Sequence, residues 1–177
     1  NKELFQAYFV KPTNQALHLA SSWNRYGNVK RNIGDLPYVG GILSLSREQF
    51  IKTNGFPNNF YGWGGEDDEF AMRLRDADIE TWLYMKNKNC IRDLEDMNLA
   101  KKMNHLKENQ HFKNLIKNEC LLMHQETCQT NGLNTLKYTL NDVARNDFCF
   151  IQFDVNIELN GDQCDEKAQF NDNSWGF

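Results

Sequence analysis

The sequence predicts an α/β domain, a mixed sheet flanked by helices, on three observations. Two short apolar runs, Tyr38–Leu45 (YVGGILSL) and Glu80–Met85 (ETWLYM), have the length and content of buried strands. Capped amphipathic helices are expected between them. The last third of the chain alternates polar and apolar residues in the strand period. With 177 residues, 40% of them hydrophobic and 12% aromatic, the chain is long enough for one domain with its own core.

Residues 1–37 read as irregular with short elements, and Leu17, Leu19 and Trp23 as a buried anchor. His18, alone between two leucines, reads as a half-buried, hydrogen-bonded residue rather than a ligand. The Gly40-Gly41 pair inside the first apolar run weakens it as a strand and marks a place where another group approaches the backbone closely. Ser46-Arg47-Glu48-Gln49 has the S-x-x-Q spacing of a capping box. The helix it opens must be short, because Asn54-Gly55 is a C-terminal stop. Pro57, Asn58 and Asn59 punctuate a loop over 56–65. A helix is then expected over Glu66–Asp78, with Phe70, Leu74 and Ala77 on one face and Arg73, Arg75 and Asp76 on others. Residues 86–131 are polar and partly helical, with Leu94, Met97, Ala100 and Met103 at helical spacing. That region reads equally as a mobile lid and as a solvated helix pair. Thr135–Leu140 and Phe148–Ile157 alternate as strands, joined by a turn built from Asn141, Asp142, Asn146 and Asp147. Residues 160–177 read as a polar tail.

Net charge is −4, which argues against nucleic-acid binding by phosphate neutralisation. The apolar runs fall far short of the roughly 20 residues that span a bilayer. The chain begins without a start Met or a leader, so it reads as a piece of a longer protein. Five scattered cysteines without C-x-x-C spacing argue against a Cys-based zinc site and leave the disulfide pattern open.

The chemistry concentrates in Asn54–Phe70, NGFPNNFYGWGGEDDEF. Acids in the first turn of a helix are favoured by its dipole. That accounts for one or two acids, not for three in a row behind Gly-Trp-Gly-Gly, where glycines let a ligand approach the backbone. Three adjacent acids cannot all point one way, so their roles divide. One carboxylate can act as general base while a neighbour binds substrate. Trp63 offers a flat apolar face on which a sugar stacks, and Asn58, Asn59, Tyr61 and Tyr38 offer polar tips suited to hydroxyls. The residues themselves leave two enzymes open. One is a glycoside hydrolase with two carboxylates across the scissile bond. The other is a glycosyltransferase with one base on the acceptor.

The run YVGGILSLSREQF followed by NGFPNNFYGWGGEDDEF closely resembles the β-1,4-galactosyltransferase family, whose signature is GWGGEDD. GLNTLKY (132–138) and Phe148–Ile157 are similar to that family's later segments, so the resemblance runs from about His18 to Ile157. It implies a GT-A type nucleotide-sugar transferase fold. It also implies an inverting, Mn²⁺-dependent transfer of galactose from UDP-galactose to the 4-hydroxyl of an acceptor glycan in the Golgi lumen. On this resemblance Asp67 is the general base, Glu66 supports the catalytic site, and Asp68 and Gly65 bind the acceptor. Trp63, with Gly64 beside it, is the mobile Trp that closes over donor and acceptor. Tyr38 influences donor choice, and an aromatic there is similar to the galactose type rather than the N-acetylgalactosamine type. Gly41 is the backbone contact near the donor. The chain, 1–177, is then one partial catalytic domain, the C-terminal half of a galactosyltransferase domain. The family's Asp-Val-Asp metal motif, and the N-terminal membrane anchor of a type II protein, are expected upstream of Asn1.

Two features depart from the family pattern. Cys90 and Asp93 stand where the family has the Met and His of its metal segment, which leaves Mn²⁺ as the expected ion with Mg²⁺ as an alternative. The internal Asp76-Ala77-Asp78 lies at a helix end and reads as a solvated surface pair. These departures keep an inactive sugar-binding relative as the second reading. The NGFPNN loop resembles the N-acetylglucosamine-accepting branch, whereas EDDEF also resembles the xylose-accepting branch.

Overall fold

The computed structural model describes residues 14–20, 32–33, 35–83, 94, 97–108, 116–145 and 151–157. A three-stranded mixed sheet holds the site. Its middle strand, β1 (Ala16–His18), lies antiparallel to β4 (Leu43–Ser44) and parallel to β5 (Thr81–Leu83). β2 (Asn32–Ile33) and β3 (Leu36–Pro37) form a separate two-residue ladder. Leu17 and Leu19 are buried as the sequence predicts, Ala16 is buried beside them, and His18, expected to be half-buried, is fully buried between its strand partners; Trp23 lies outside the described residues.

The first apolar run is a strand over only two residues. Gly41 has φ 91°, a left-handed conformation that breaks the extended backbone. Tyr38–Gly40 therefore leave the sheet and cross the region that faces the acids.

Helix α1 (Arg47–Lys52) starts and stops as its sequence predicts. Ser46 Oγ accepts from the Gln49 amide at 3.1 Å, and Gln49 Oε1 accepts from the Ser46 amide at 2.8 Å, closing the capping box. At the other end Asn54 is left-handed, with φ 58°. The Gly55 amide bonds the Phe50 carbonyl and the Asn54 amide bonds the Ile51 carbonyl, which is the Schellman pattern.

Helix α2 (Glu66–Asp76) ends the same way and two residues earlier than the periodicity predicts. Asp78 takes the left-handed position, with φ 52°. The Ile79 amide returns to the Leu74 carbonyl and the Asp78 amide to the Arg75 carbonyl, both at 2.9 Å. Asp serves where Gly is usual, and Ile79 packs with Leu74 in the core, the hydrophobic contact that accompanies this motif. Phe70, Ala71, Leu74 and Ile79 join Ala16 and Val39 in that core. Phe70 is wholly buried and stacks on Phe56, ring centroids 4.2 Å apart. Burying such a side chain contributes about 2–3 kcal/mol, so the core fixes the base of the acid-led helix against the sheet.

The polar region contains three described helices, α3 (Leu99–Glu108), α4 (Lys117–Leu122) and α5 (His124–Thr127). Leu94 and Met97 precede α3, and Leu94 is 88% exposed, so the predicted helical stripe begins five residues too early. The final strands also shift. Leu133–Thr135 is a 3₁₀ turn, and β6 (Tyr138–Arg145) runs through Asn141 and Asp142, which the sequence places in a turn. A register shift between Leu140 and Asp142 absorbs Asn141 as a bulge. β6 pairs antiparallel with β7 (Ile151–Ile157). Asn146, Asp147, Phe148 and Cys149 lie outside the described residues.

Two Asn-Gly segments, distant in sequence, are tied together. Asn54 Nδ2 donates to the Cys128 carbonyl at 3.1 Å, the Leu133 amide donates to the Asn54 carbonyl at 2.8 Å, and Asn58 Nδ2 donates to the Gly132 carbonyl at 2.7 Å. The Asn58 amide, expected to be a hydroxyl-recognising tip, is therefore committed to holding the loop against residues 131–135.

Candidate active site

The site is built where the Gly-Gly segment meets the first turn of α2. Gly65, with φ 103°, caps that helix. A Cβ there would stand 2.6 Å from Phe60 and 3.0 Å from Lys117 Cγ, so only glycine fits. Trp63, in the glycine-rich loop before it, is 41% exposed.

The four acids of the first turn divide their roles. Glu69 is buried and receives Arg73 Nε at 3.1 Å and His124 Nδ1 at 2.9 Å, all on Oε1. Asp68 is buried and ion-paired to Lys117 of α4. Glu66 is half-buried, and its Oε2 has no hydrogen-bond partner among the described residues. Asp67 is half-buried and lines an open cavity of about 440 Å³ with Gly41, Val39, Arg47 and Phe56. Across from it, a Cβ on Gly40 would fall 2.1 Å from Asp67 Oδ2 and 2.2 Å from the Tyr38 hydroxyl. The carboxylate and the phenol thus converge over one glycine, whose missing side chain makes the approach possible.

Beneath this point lies His18, 1% exposed. Its Nε2–H donates to the Gly40 carbonyl at 2.8 Å, and its ring meets Tyr38 edge-on, centroids 5.9 Å apart at 79°. Burial pushes the imidazole pKa below its ordinary 6.5, partly opposed by the bond to Gly40. The folded state therefore holds His18 neutral where the unfolded chain takes up a proton. Stability is expected to be flat in this contribution above pH 6.5. It should fall as pH drops from 6.5 to the lowered value, by at most about 1.4 kcal/mol per pH unit. Urea titrations of the parent and His18→Gln between pH 7.5 and 5 check this: the difference between them should carry the slope.

Of the predicted site residues, the structure brings together Tyr38, Gly41 and Asp67, and holds Gly64, Gly65, Glu66 and Asp68 in the adjoining loop and helix start. Asp93 and Cys90 lie outside the described residues, and among the described residues no group of three or more His, Cys, Asp or Glu side chains is placed to hold a metal ion. Asp76 is not a free surface acid. It accepts from His124 Nε2, Gln125 and Arg75, each at 2.9 Å. Burial opposes its charge, but these bonds and the Arg75 charge hold its pKa below the ordinary value. Sequence reasoning missed Glu69, Lys117 and His124. The Glu69/Arg73 pair has the i, i+4 spacing of a helical ion pair. Nothing local ties His124 or Lys117 to residues some 50 positions away.

The mixed sheet, with its Gly-Gly segment facing the acid-led helix, has a GT-A type fold by superposition on solved structures. The chain superposes on two structures of Drosophila β-1,4-galactosyltransferase 7. One, a variant in complex with manganese, UDP-Gal and xylobiose, gives TM-score 0.58 at 24% identity; the other, the catalytic domain with xylobiose, gives 0.60 at 23%. Each match covers 85% of this chain and 60% of that chain. The family model described as the N-terminal domain of galactosyltransferase matches residues 28–98. The mouse β-1,4-galactosyltransferase 1 is 31% identical over 134 residues, 74% of this chain and 30% of its own length. The human β-1,4-galactosyltransferase 4 is 32% identical over 129 residues, 73% of this chain and 34% of its own. The chain belongs to the β-1,4-galactosyltransferase family, and it spans about a third of the length of these curated relatives.

Proposed function

We propose that this chain carries the acceptor side of an inverting galactosyltransferase, the C-terminal half of its catalytic domain. The reaction moves galactose from UDP-galactose to the 4-hydroxyl of a xylose- or N-acetylglucosamine-terminated glycan in the Golgi lumen. One observation carries this reading. Asp67 lines the cavity beside Gly41 and meets Tyr38 over Gly40, while Asp68 pairs with Lys117 and Glu69 with Arg73. Asp67 takes the proton as the acceptor oxygen attacks the anomeric carbon. The new C–O bond forms on the face opposite the breaking C–O bond to the diphosphate, and UDP leaves with that electron pair. Single in-line displacement inverts the anomeric centre. Trp63, exposed between glycines, supplies the face on which the acceptor ring stacks, and Glu66, Gly64, Gly65 and Asp68 shape its surroundings.

A divalent cation, Mn²⁺ with Mg²⁺ as the alternative, would neutralise the leaving diphosphate. The described residues do not themselves form a donor set for it. Asp93 and Cys90 are its proposed ligands in this chain, and no step is assigned to them. Among the described residues no helix is long and apolar enough to cross a membrane.

The test is transfer by the full natural protein containing this chain, with UDP-galactose, UDP-N-acetylgalactosamine and UDP-glucose as donors and xylosides or N-acetylglucosaminides as acceptors. UDP-galactose should be preferred, and the product should be a β-1,4 linkage by NMR. An α-linked product, or preference for UDP-N-acetylgalactosamine, would overturn the assignment. Acceptor binding without transfer from any donor would favour the inactive relative.

A further inference from the structure

We propose that His18 is a positioning residue of the transfer site: from the middle strand of the sheet it fixes the Gly40 peptide and the Tyr38 ring, and these together set where the Asp67 carboxylate stands. The inference rests on the assignment of Asp67 as the base. Two consecutive glycines have the greatest backbone freedom of any dipeptide, and Gly41 is already left-handed at φ 91°. A Gly40–Gly41 peptide with nothing to hold it would turn readily, yet the Gly40 α-carbon is the surface over which Asp67 Oδ2 and the Tyr38 hydroxyl converge. The bond from His18 Nε2–H to the Gly40 carbonyl, 2.8 Å long, restrains that peptide. The same ring meets Tyr38 edge-on, so one side chain restrains both the plate and the phenol above it.

His18 is itself rigidly held. β1 pairs through His18↔Leu43 on one side and His18↔Leu83 on the other, and the Leu19 amide bonds the Ile42 carbonyl at 2.9 Å. The donor therefore stands on the sheet rather than on the loop it restrains, the arrangement that keeps a reacting group within its productive geometry. The neutral ring is suited to this role, because only one nitrogen need donate and no buried charge must be compensated.

The test compares His18→Phe, which keeps a ring against Tyr38 but no donor, with His18→Gln, whose amide reaches the Gly40 carbonyl. In the full natural protein, His18→Phe should lower kcat about 10- to 100-fold, the scale of a small misplacement of a reacting group. The KM for UDP-galactose should rise by no more than a few fold, because Gly41, the expected donor contact, shares the released peptide, while the larger effect falls on kcat. His18→Gln should retain kcat within about threefold. If His18→Phe does not fold, His18→Asn, whose shorter amide stops short of Gly40, takes its place with the same expectation. Equal loss in the donor-keeping and donor-lacking variants, or no loss in either, overturns the proposal. Asp67→Asn is run alongside. Loss there with normal kcat in His18→Phe refutes the His18 role alone, whereas retained turnover in Asp67→Asn refutes the base assignment and the His18 role with it.

Discussion

Replacing Arg73 with alanine is expected to remove about 3–5 kcal/mol of folding stability, the scale for breaking a buried ion pair by deleting one partner. Arg73 is 3% exposed. Its Nε bonds Glu69, its Nη1 donates to the Gly55 carbonyl at 3.0 Å, and its Nη2 donates to the Asn131 carbonyl at 2.6 Å. One guanidinium thus binds the acid-led helix to the loop before the site and to the segment around Gly132. Truncation leaves the buried Glu69 with His124 as its remaining side-chain partner and strips the buried Gly55 carbonyl and the part-buried Asn131 carbonyl of a donor. Arg73→Lys should recover only part of the loss, because a single ammonium cannot reproduce the planar fork. Urea denaturation monitored through tryptophan fluorescence measures the difference. A loss under about 1 kcal/mol would contradict this account of the cluster.

The local devices were legible in the sequence because each is a short-range rule. The Ser46 capping box, the Asn54-Gly55 stop and the burial of Phe70 and Leu74 all depend on residues within a few positions of one another. The division of labour among the acids was also foreseeable, since adjacent residues at a helix start point in different directions. Which acid takes which role was not. The pairing of Asp68 with Lys117 and of Glu69 with His124 depends on side chains that approach from helices whose position is fixed by tertiary packing. Asp76 shows the same limit: at a helix end it looks solvated, yet His124 and Gln125 of α5 reach it. Asn58 was misjudged for the converse reason. An amide in a loop before a candidate site suits hydroxyl recognition, but here the loop needs it to hold residues 131–135. The final strands moved because Asn141 and Asp142, turn formers by propensity, are absorbed by a bulge. Propensity yields to pairing when seven residues on the partner strand are available.

Asp67→Asn is the change expected to weigh most on function. The amide keeps the volume and the hydrogen-bonding reach of the carboxylate over Gly40 but cannot accept the acceptor's proton. Stability should hardly change, since Asp67 is half-buried and the cluster that anchors α2 lies at Glu69 and Arg73. Loss of a general base lowers turnover about 10²- to 10⁴-fold. UDP binding, which the base does not mediate, should persist. The most direct measurement is therefore kcat for galactose transfer by Asp67→Asn in the full natural protein, with UDP affinity measured on the same sample. A loss of about a thousandfold with UDP affinity unchanged is expected; turnover within tenfold of the parent would contradict the assignment of Asp67 as the base.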